Sequence, residues 1–212
     1  MRRHLVLLLA ASSACAVSTH VPFHDADYPG TLQPARAMRE DVVWQQRVTA
    51  AWGVQRGNGG SRGFDAAIQK QGEVLTVLGM SPMGSVGFTL LLRECAIEVR
   101  NDSGEELPFP ARFVLLDVQR TFYPWLGEPL GDGSREATVG DERIAETWRG
   151  GHIVERSFRR IDGVPAGRIV VAYGWTQDDE GRLAPHRTVL HNEWFDYTLT
   201  IDTHAETRLP VK

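Results

Sequence analysis

Cysteine is scarce in this chain: two residues among 212, Cys15 and Cys95. That excludes a fold stapled by several disulfides and leaves at most one bridge in an exported protein. Long apolar runs are missing as well. Past the first fifteen residues no stretch approaches the roughly 20 apolar residues that a spanning helix needs. Excess positive charge is absent: 23 Lys and Arg stand against 27 Asp and Glu, a net charge of −4. Nothing in that balance draws the chain to nucleic acid or to anionic headgroups. There is no internal repeat and no low-complexity tract.

Catalytic and metal signatures are equally thin. Gly79-Met80-Ser81-Pro82-Met83-Gly84 places a serine between glycines, but not at the spacing of a nucleophile elbow. Pro82 also removes the backbone N–H that an oxyanion hole takes from the residue after the nucleophile. The stretch reads as a turn. His186 and His191 lie five apart on a strand pattern, which sends them to opposite faces of a sheet. Ser81 with one of these histidines is the only hydrolase pairing on offer. His20 and His24 sit beside Asp25 and Asp27 in what reads as a solvated linker, and the loop at Gly57–Gly63 lacks the Gly-Lys-Ser/Thr of a phosphate loop. No cofactor and no metal are expected. Arg156, Arg159 and Arg160 read as a solvated strand face, with Ile161 beside them.

What is present begins at the first residue. Met1-Arg2-Arg3-His4 is basic, Leu5 to Ala11 is apolar, and Ser12-Ser13-Ala14 leads into Cys15. This is the layout of a secretory signal over residues 1–14, ending at a candidate lipidation cysteine. Plain cleavage to a soluble exported chain fits the same start, because Ser12 stands where a lipobox usually has Leu. Residues 15–43 read as a lipidated N-terminus and tether, interrupted by Pro22, Pro29, Gly30 and Pro34, with a short helix near Ala35–Trp44. A domain over 44–205 and a tail over 206–212 follow. Cys95, flanked by Leu91, Leu92 and Ile97, is expected to be a buried thiol.

Within the domain, strands are predicted at Arg47–Gly53, Phe64–Lys70, Glu73–Met80, Val86–Leu92, Ala96–Arg100, Arg143–Arg149, His152–Arg160, Arg168–Trp175, Arg187–His191 and Phe195–Asp202. Gly150-Gly151 suits a two-residue hairpin loop and sets Trp148 opposite Ile153. Val114, Leu115, Val118 and Phe122 recur at helical spacing between Pro110 and Pro124, so one helix is predicted over 111–122. The result is a mainly β (α+β) chain: about ten short antiparallel strands curling over one clear helix. The strands at 73–80 and 86–92 are apolar on both sides. Either ordinary core covers both faces, or one face lines a cavity.

The segment from Phe64 to Leu126, with Val-Leu-Gly-Met-Ser-Pro-Met-Gly, Phe88-Thr89-Leu90, Leu107-Pro108 and Phe122-Tyr123-Pro124-Trp125, together with the close from Asn192 to Ile201, resembles a bacterial lipoprotein family of undefined function. That family is found in gene clusters for aryl-polyene-type lipids and is in turn similar to LolB and LolA. The resemblance implies an open, incomplete antiparallel β-barrel covered by helix. It implies an apolar cavity for acyl lipid or the acyl chains of lipoproteins, and no catalytic residues. It also implies an anchor at Cys15 on the periplasmic face of the outer membrane and a periplasmic carrier or lipid-synthesis partner. The residues expected to line the cavity are Leu75, Val77, Phe88, Leu90, Leu92, Val114, Leu115, Val118, Phe122, Trp148, Tyr197 and Leu199. A structural lipoprotein scaffolding an envelope complex and an envelope hydrolase are the other two readings the residues leave open.

Overall fold

The structure, a computed structural model, describes residues 28–53, 59–81, 83–104, 110–128, 131–177 and 183–210. The signal segment, Cys15, His20 and His24 lie outside the described residues.

Eleven strands follow one another in sequence: β1 (Val42–Trp52), β2 (Gly60–Gln71), β3 (Val74–Met80), β4 (Val86–Arg93), β5 (Ala96–Asn101), then helix α1 (Ala111–Phe122), β6 (Gly133–Val139), β7 (Glu142–Arg149), β8 (His152–Arg160), β9 (Ile169–Gln177), β10 (Leu183–Asn192) and β11 (Tyr197–Arg208). They form one antiparallel sheet in the order β5-β4-β3-β2-β1-β11-β10-β9-β8-β7-β6. Its edges, β5 and β6, do not pair with each other, so the sheet is open. The seam at its centre joins β1 to β11, from Val42 opposite Arg208 to Trp52 opposite Tyr197.

The sheet curls around α1, whose side chains enter both halves of the interior. Leu115 and Val118 pack with Val42, Trp44, Ile68, Leu75, Val77, Leu90 and Leu92 of β1–β4. Phe113 and Leu116 pack with Ile144, Phe158, Ile169, Val171 and Leu190 of β7–β10. A helix of twelve residues is marginal alone, and here both of its flanks are covered.

The predicted helix matches α1 residue for residue, and the hairpin at Gly150-Gly151 forms with both glycines at positive φ, +57° and +77°. Trp148 faces Ile153 as expected, and both are buried. Five features differ from expectation. The short helix near Ala35–Trp44 shrinks to a single 3-10 turn at Ala35–Ala37. Val42, Val43 and Trp44 are instead β1, paired on both sides. Residues 28–41 are not a free tether either: Tyr28, Ala35 and Met38 are buried against the domain, and β11 runs on past residue 205. The edge strand β6 carries Ser, Arg, Glu and Thr, mostly exposed, so it has no apolar period to betray it. Cys95 is exposed, because with Glu94 (φ +53°) it forms the tip of the β4–β5 hairpin.

Gly79 opposes Phe88 across β3 and β4. A Cβ at Gly79 would fall 2.1 Å from Phe88 Cε1, so the Phe88 ring occupies the room a side chain would take. Gly79→Ala is expected to lower unfolding free energy by about 1–3 kcal/mol through overpacking. The pairing Gly79→Ala with Phe88→Leu should recover part of that loss in urea titrations.

Candidate functional site

Nine of the expected cavity residues come together. Leu75, Val77, Leu90, Leu92, Leu115 and Val118 form one buried cluster, with Phe88, Val114 and Phe122 packed against it. They meet one another rather than an open cavity: Leu75, Leu90, Leu92 and Leu115 have no exposed surface. The hollow drawn from the doubly apolar strands is filled by α1, because the apolar stripe of the helix must itself be buried. Two clefts, of about 530 and 330 Å³, lie elsewhere. The larger is bounded by Tyr28, Gly30, Arg160, Val164 and Trp194, among others, and the smaller by Leu32, Trp125 and Val139, among others.

Trp148, Tyr197 and Leu199 sit apart from the nine. Trp148 is buried on β7, its indole N–H donating to Glu146 at 3.2 Å. Leu199 is partly buried beside Val48, Ala66 and Ile201. Tyr197 lies in the other apolar cluster, and its hydroxyl belongs to a polar network that sequence reasoning missed.

That network is built on the second flank of α1. Asp117 accepts hydrogen bonds from the hydroxyls of Tyr28 and Tyr197. The two hydroxyls are 3.0 Å apart, and Asn192 Nδ2 donates to Tyr28 at 2.9 Å. One turn further, the guanidinium of Arg120 is wholly buried. Its Nη2 donates to Glu142 at 2.8 Å and to the carbonyl of Pro29 at 2.6 Å, while Nη1 stands 3.9 Å from Asp117. Aromatic faces supply the rest of its surroundings: its Cζ lies 4.8 Å from the ring centre of Tyr28, 5.3 Å from Trp194 and 5.4 Å from Phe158. Each is close enough for a cation–π attraction, which strengthens when water is excluded.

A second charged group closes the C-terminal end of the helix. Arg156 donates to the Arg120 carbonyl at 2.8 Å and Tyr173 to the Thr121 carbonyl at 2.8 Å. A cation at the negative end of the helix dipole is favourable. Arg156 in turn is held by Glu146 at 2.9 Å, and Glu146 also takes Arg135 at 2.7 Å. Arg156, Arg159 and Arg160 are therefore not one solvated basic face. Arg156 points inward, Arg159 is exposed, and Arg160 is paired with Asp141 and Asp162.

Gly30 lies against this network with φ +110°, and a Cβ there would stand 2.6 Å from Arg120 Nη2. Only glycine lets the N-terminal segment pass so close to the buried cation. Gln119 fixes the same segment, exchanging hydrogen bonds with the backbone of Gln33 at 2.8 and 2.7 Å.

Burial pushes the Asp117 carboxyl up to about 6, against the opposing pull of Arg120 and the two tyrosine hydroxyls. Burial likewise raises both Tyr28 and Tyr197. The sign for Asp117 follows from linkage. The folded chain holds this proton to higher pH than the unfolded chain, so the contribution to stability is full below the ordinary carboxylate range and is lost as pH rises through about 6. Asp117→Asn is expected to flatten that segment of the stability–pH curve, measured as Tm between acid and neutral pH.

The hydrolase pairing does not assemble. The Ser81 hydroxyl bonds Ser85 at 2.8 Å, His191 bonds Thr198 at 2.9 Å, and three strands separate β3 from β10. Among the described residues no group of three His, Cys, Asp or Glu side chains is placed to hold a metal ion, and no helix is long and apolar enough to cross a membrane.

The fold and site thus define a curled-sheet protein with an internal helix, packed by apolar side chains on both flanks and clasped by buried charge on one. The chain belongs to the family described as protein of unknown function (DUF3261), which matches residues 43–205. In structure it is similar to a LolA-superfamily protein from Nitrosomonas europaea, with 9% identity, TM-score 0.48, and coverage of 84% of this chain and 91% of that one. It is similar to a putative outer membrane lipoprotein-sorting protein domain from Vibrio parahaemolyticus, with 8% identity, TM-score 0.44, and coverage of 82% and 88%. It is also similar to a DUF1329 family protein from Desulfovibrio piger, with 10% identity, TM-score 0.45, and coverage of 82% and 88%. No curated protein matches the chain.

Proposed function

We propose that this chain is an exported, envelope-held carrier of hydrocarbon chains, tethered to the periplasmic face of the outer membrane by acylation at Cys15. The observation that carries the reading is the one-sided attachment of α1. Its polar ties run to the N-terminal segment, β7, β8, β9 and β11 through Asp117, Gln119, Arg120 and Thr121. Against β1–β4 it lays Leu115 and Val118, with Phe122 stacked on Trp44 at 4.7 Å. Non-directional contact of that kind can be exchanged for acyl chain at little cost, since each buried CH₂ is worth about 0.8 kcal/mol wherever it comes from. The clasp keeps α1 attached while its apolar flank gives way. The cargo class is acyl lipid or the acyl chains of lipoproteins, handed over by a periplasmic carrier or a lipid-synthesis partner.

The test is native mass spectrometry of the chain extracted from membranes, with titration of a fluorescent fatty acid. Co-purified or saturable acyl ligand is the expected result. Absence of both overturns the carrier reading. In its place would stand a tethered scaffold, which the solid packing under α1 favours.

A further inference from the structure

The strands of an antiparallel sheet alternate in direction, so every second connection lies at the same end. One end carries the β1–β2, β3–β4, β6–β7, β8–β9 and β10–β11 connections. The other carries the β2–β3, β4–β5 and β7–β8 turns. The exposed large apolar side chains are not shared evenly between the two. Trp52 (40% exposed), Met83 (92%), Val86 (39%), Ile161 (58%) and Val164 (69%) all lie at the first end; among the described residues only Val99, within β5, is exposed elsewhere. Three separate segments from both halves of the sheet supply them, so no single hairpin accounts for the bias. Single exposed apolar residues are ordinary, whereas a set gathered on one rim marks a contact surface.

Where the N-terminal segment emerges says what the rim meets. Tyr28, Pro29 and Gly30 share a cleft with Val164, Pro165, Trp194 and Phe195 at this same end. Cys15 lies thirteen residues before Tyr28, a distance the chain spans over at most about 45 Å when fully extended. Because Tyr28 stands at the rim, a bilayer that holds a lipid at Cys15 is reached by the shortest course of the chain on the rim side. Cations there are paired with carboxylates: Arg160 with Asp141 and Asp162, and Arg168 with Glu193 at 3.8 Å.

The geometry points to this rim as a bilayer-docking surface, with Trp52, Met83, Val86, Ile161 and Val164 entering the headgroup boundary of a phospholipid membrane. Apolar burial and not electrostatic attraction holds it there. The rim supplies a contact beyond the anchor and fixes the orientation of the domain. The inference rests on the acylated-carrier reading for the anchor alone.

The test uses the acylated full chain, reconstituted into phosphatidylethanolamine–phosphatidylglycerol vesicles. An environment-sensitive fluorophore is placed at Met83→Cys or Val164→Cys in a Cys95→Ser background, and on native Cys95 at the opposite end as the control. All three sites are exposed turns, and an unchanged Tm verifies the fold. A blue shift with severalfold brightening at the two rim sites, none at Cys95, and insensitivity to high salt is the expected result. Equal response at both ends, or vesicle-bound chain with wet rim labels, overturns the proposal and leaves the anchor standing. Rim labels that respond on a chain that takes up no fatty acid would instead refute the carrier reading and leave the rim standing.

Discussion

Arg120→Met is expected to cost the folded chain about 3–5 kcal/mol, the scale of breaking a buried ion pair from one side. The residue is wholly buried, and the substitution strips Glu142 of its 2.8 Å partner and Asp117 of its nearest cation. Methionine fills most of the volume between Tyr28, Phe158 and Trp194 and keeps their packing, so the loss reports on charge and not on a cavity. Urea unfolding with a two-state fit measures it. Adding Glu142→Gln and Asp117→Asn removes the stranded carboxylates, so the triple variant should recover much of the stability. Non-additivity of that size is the signature of one network rather than independent contacts. A single variant as stable as the parent would show that the aromatic cage, and not the charge, holds the helix.

Leu115→Ala is expected to cost about 2–5 kcal/mol, by lost transfer free energy plus the void left in a packed core. Leu115 is wholly buried among Leu75, Leu90, Leu92 and Val118, on the flank of α1 that faces β1–β4. This position also separates the functional readings. Apolar voids stay dry and take apolar ligands, and a ligand bound only by the folded chain raises Tm in proportion to its occupancy. If hydrocarbon enters between α1 and β1–β4, a fatty acid should raise the Tm of Leu115→Ala more than that of the parent. A scaffold with a permanently closed core predicts the same destabilisation and no such rescue. Differential scanning fluorimetry with and without the fatty acid provides the measurement.

The fold was legible where periodicity was strong. The alternation in 197–202, the β-branched run at 169–171 and the glycine pair between Trp148 and Ile153 each mark their elements because side-chain period and turn chemistry agree. Strand β6 was not legible, since an edge strand with both faces wet has no pattern to read. The packing of Tyr28, Ala35 and Met38 was hidden by the prolines around them, which break regular structure without preventing burial. Of the site, the apolar flank of α1 was readable from Val114, Leu115, Val118 and Phe122. The clasp was not, because Asp117, Gln119 and Arg120 have the composition of a solvated face. The signal lay in Phe113 and Leu116: with them, apolar side chains cover too much of the helix circumference for one side to remain in water, and the polar residues between them had to be buried and paired.

The seam between β1 and β11 bears on how such a protein can be made. The first strand of the sheet finds its central neighbour only in the last, so the two halves cannot lock together while the chain is still being delivered. A polypeptide threaded through a secretory channel from its N-terminus would keep β1 waiting with one side bare until Tyr197–Arg208 has emerged. Late closure of this kind would suit export in an unfolded state, and it makes the twelve-residue β11 the step that joins the two halves of the folded sheet.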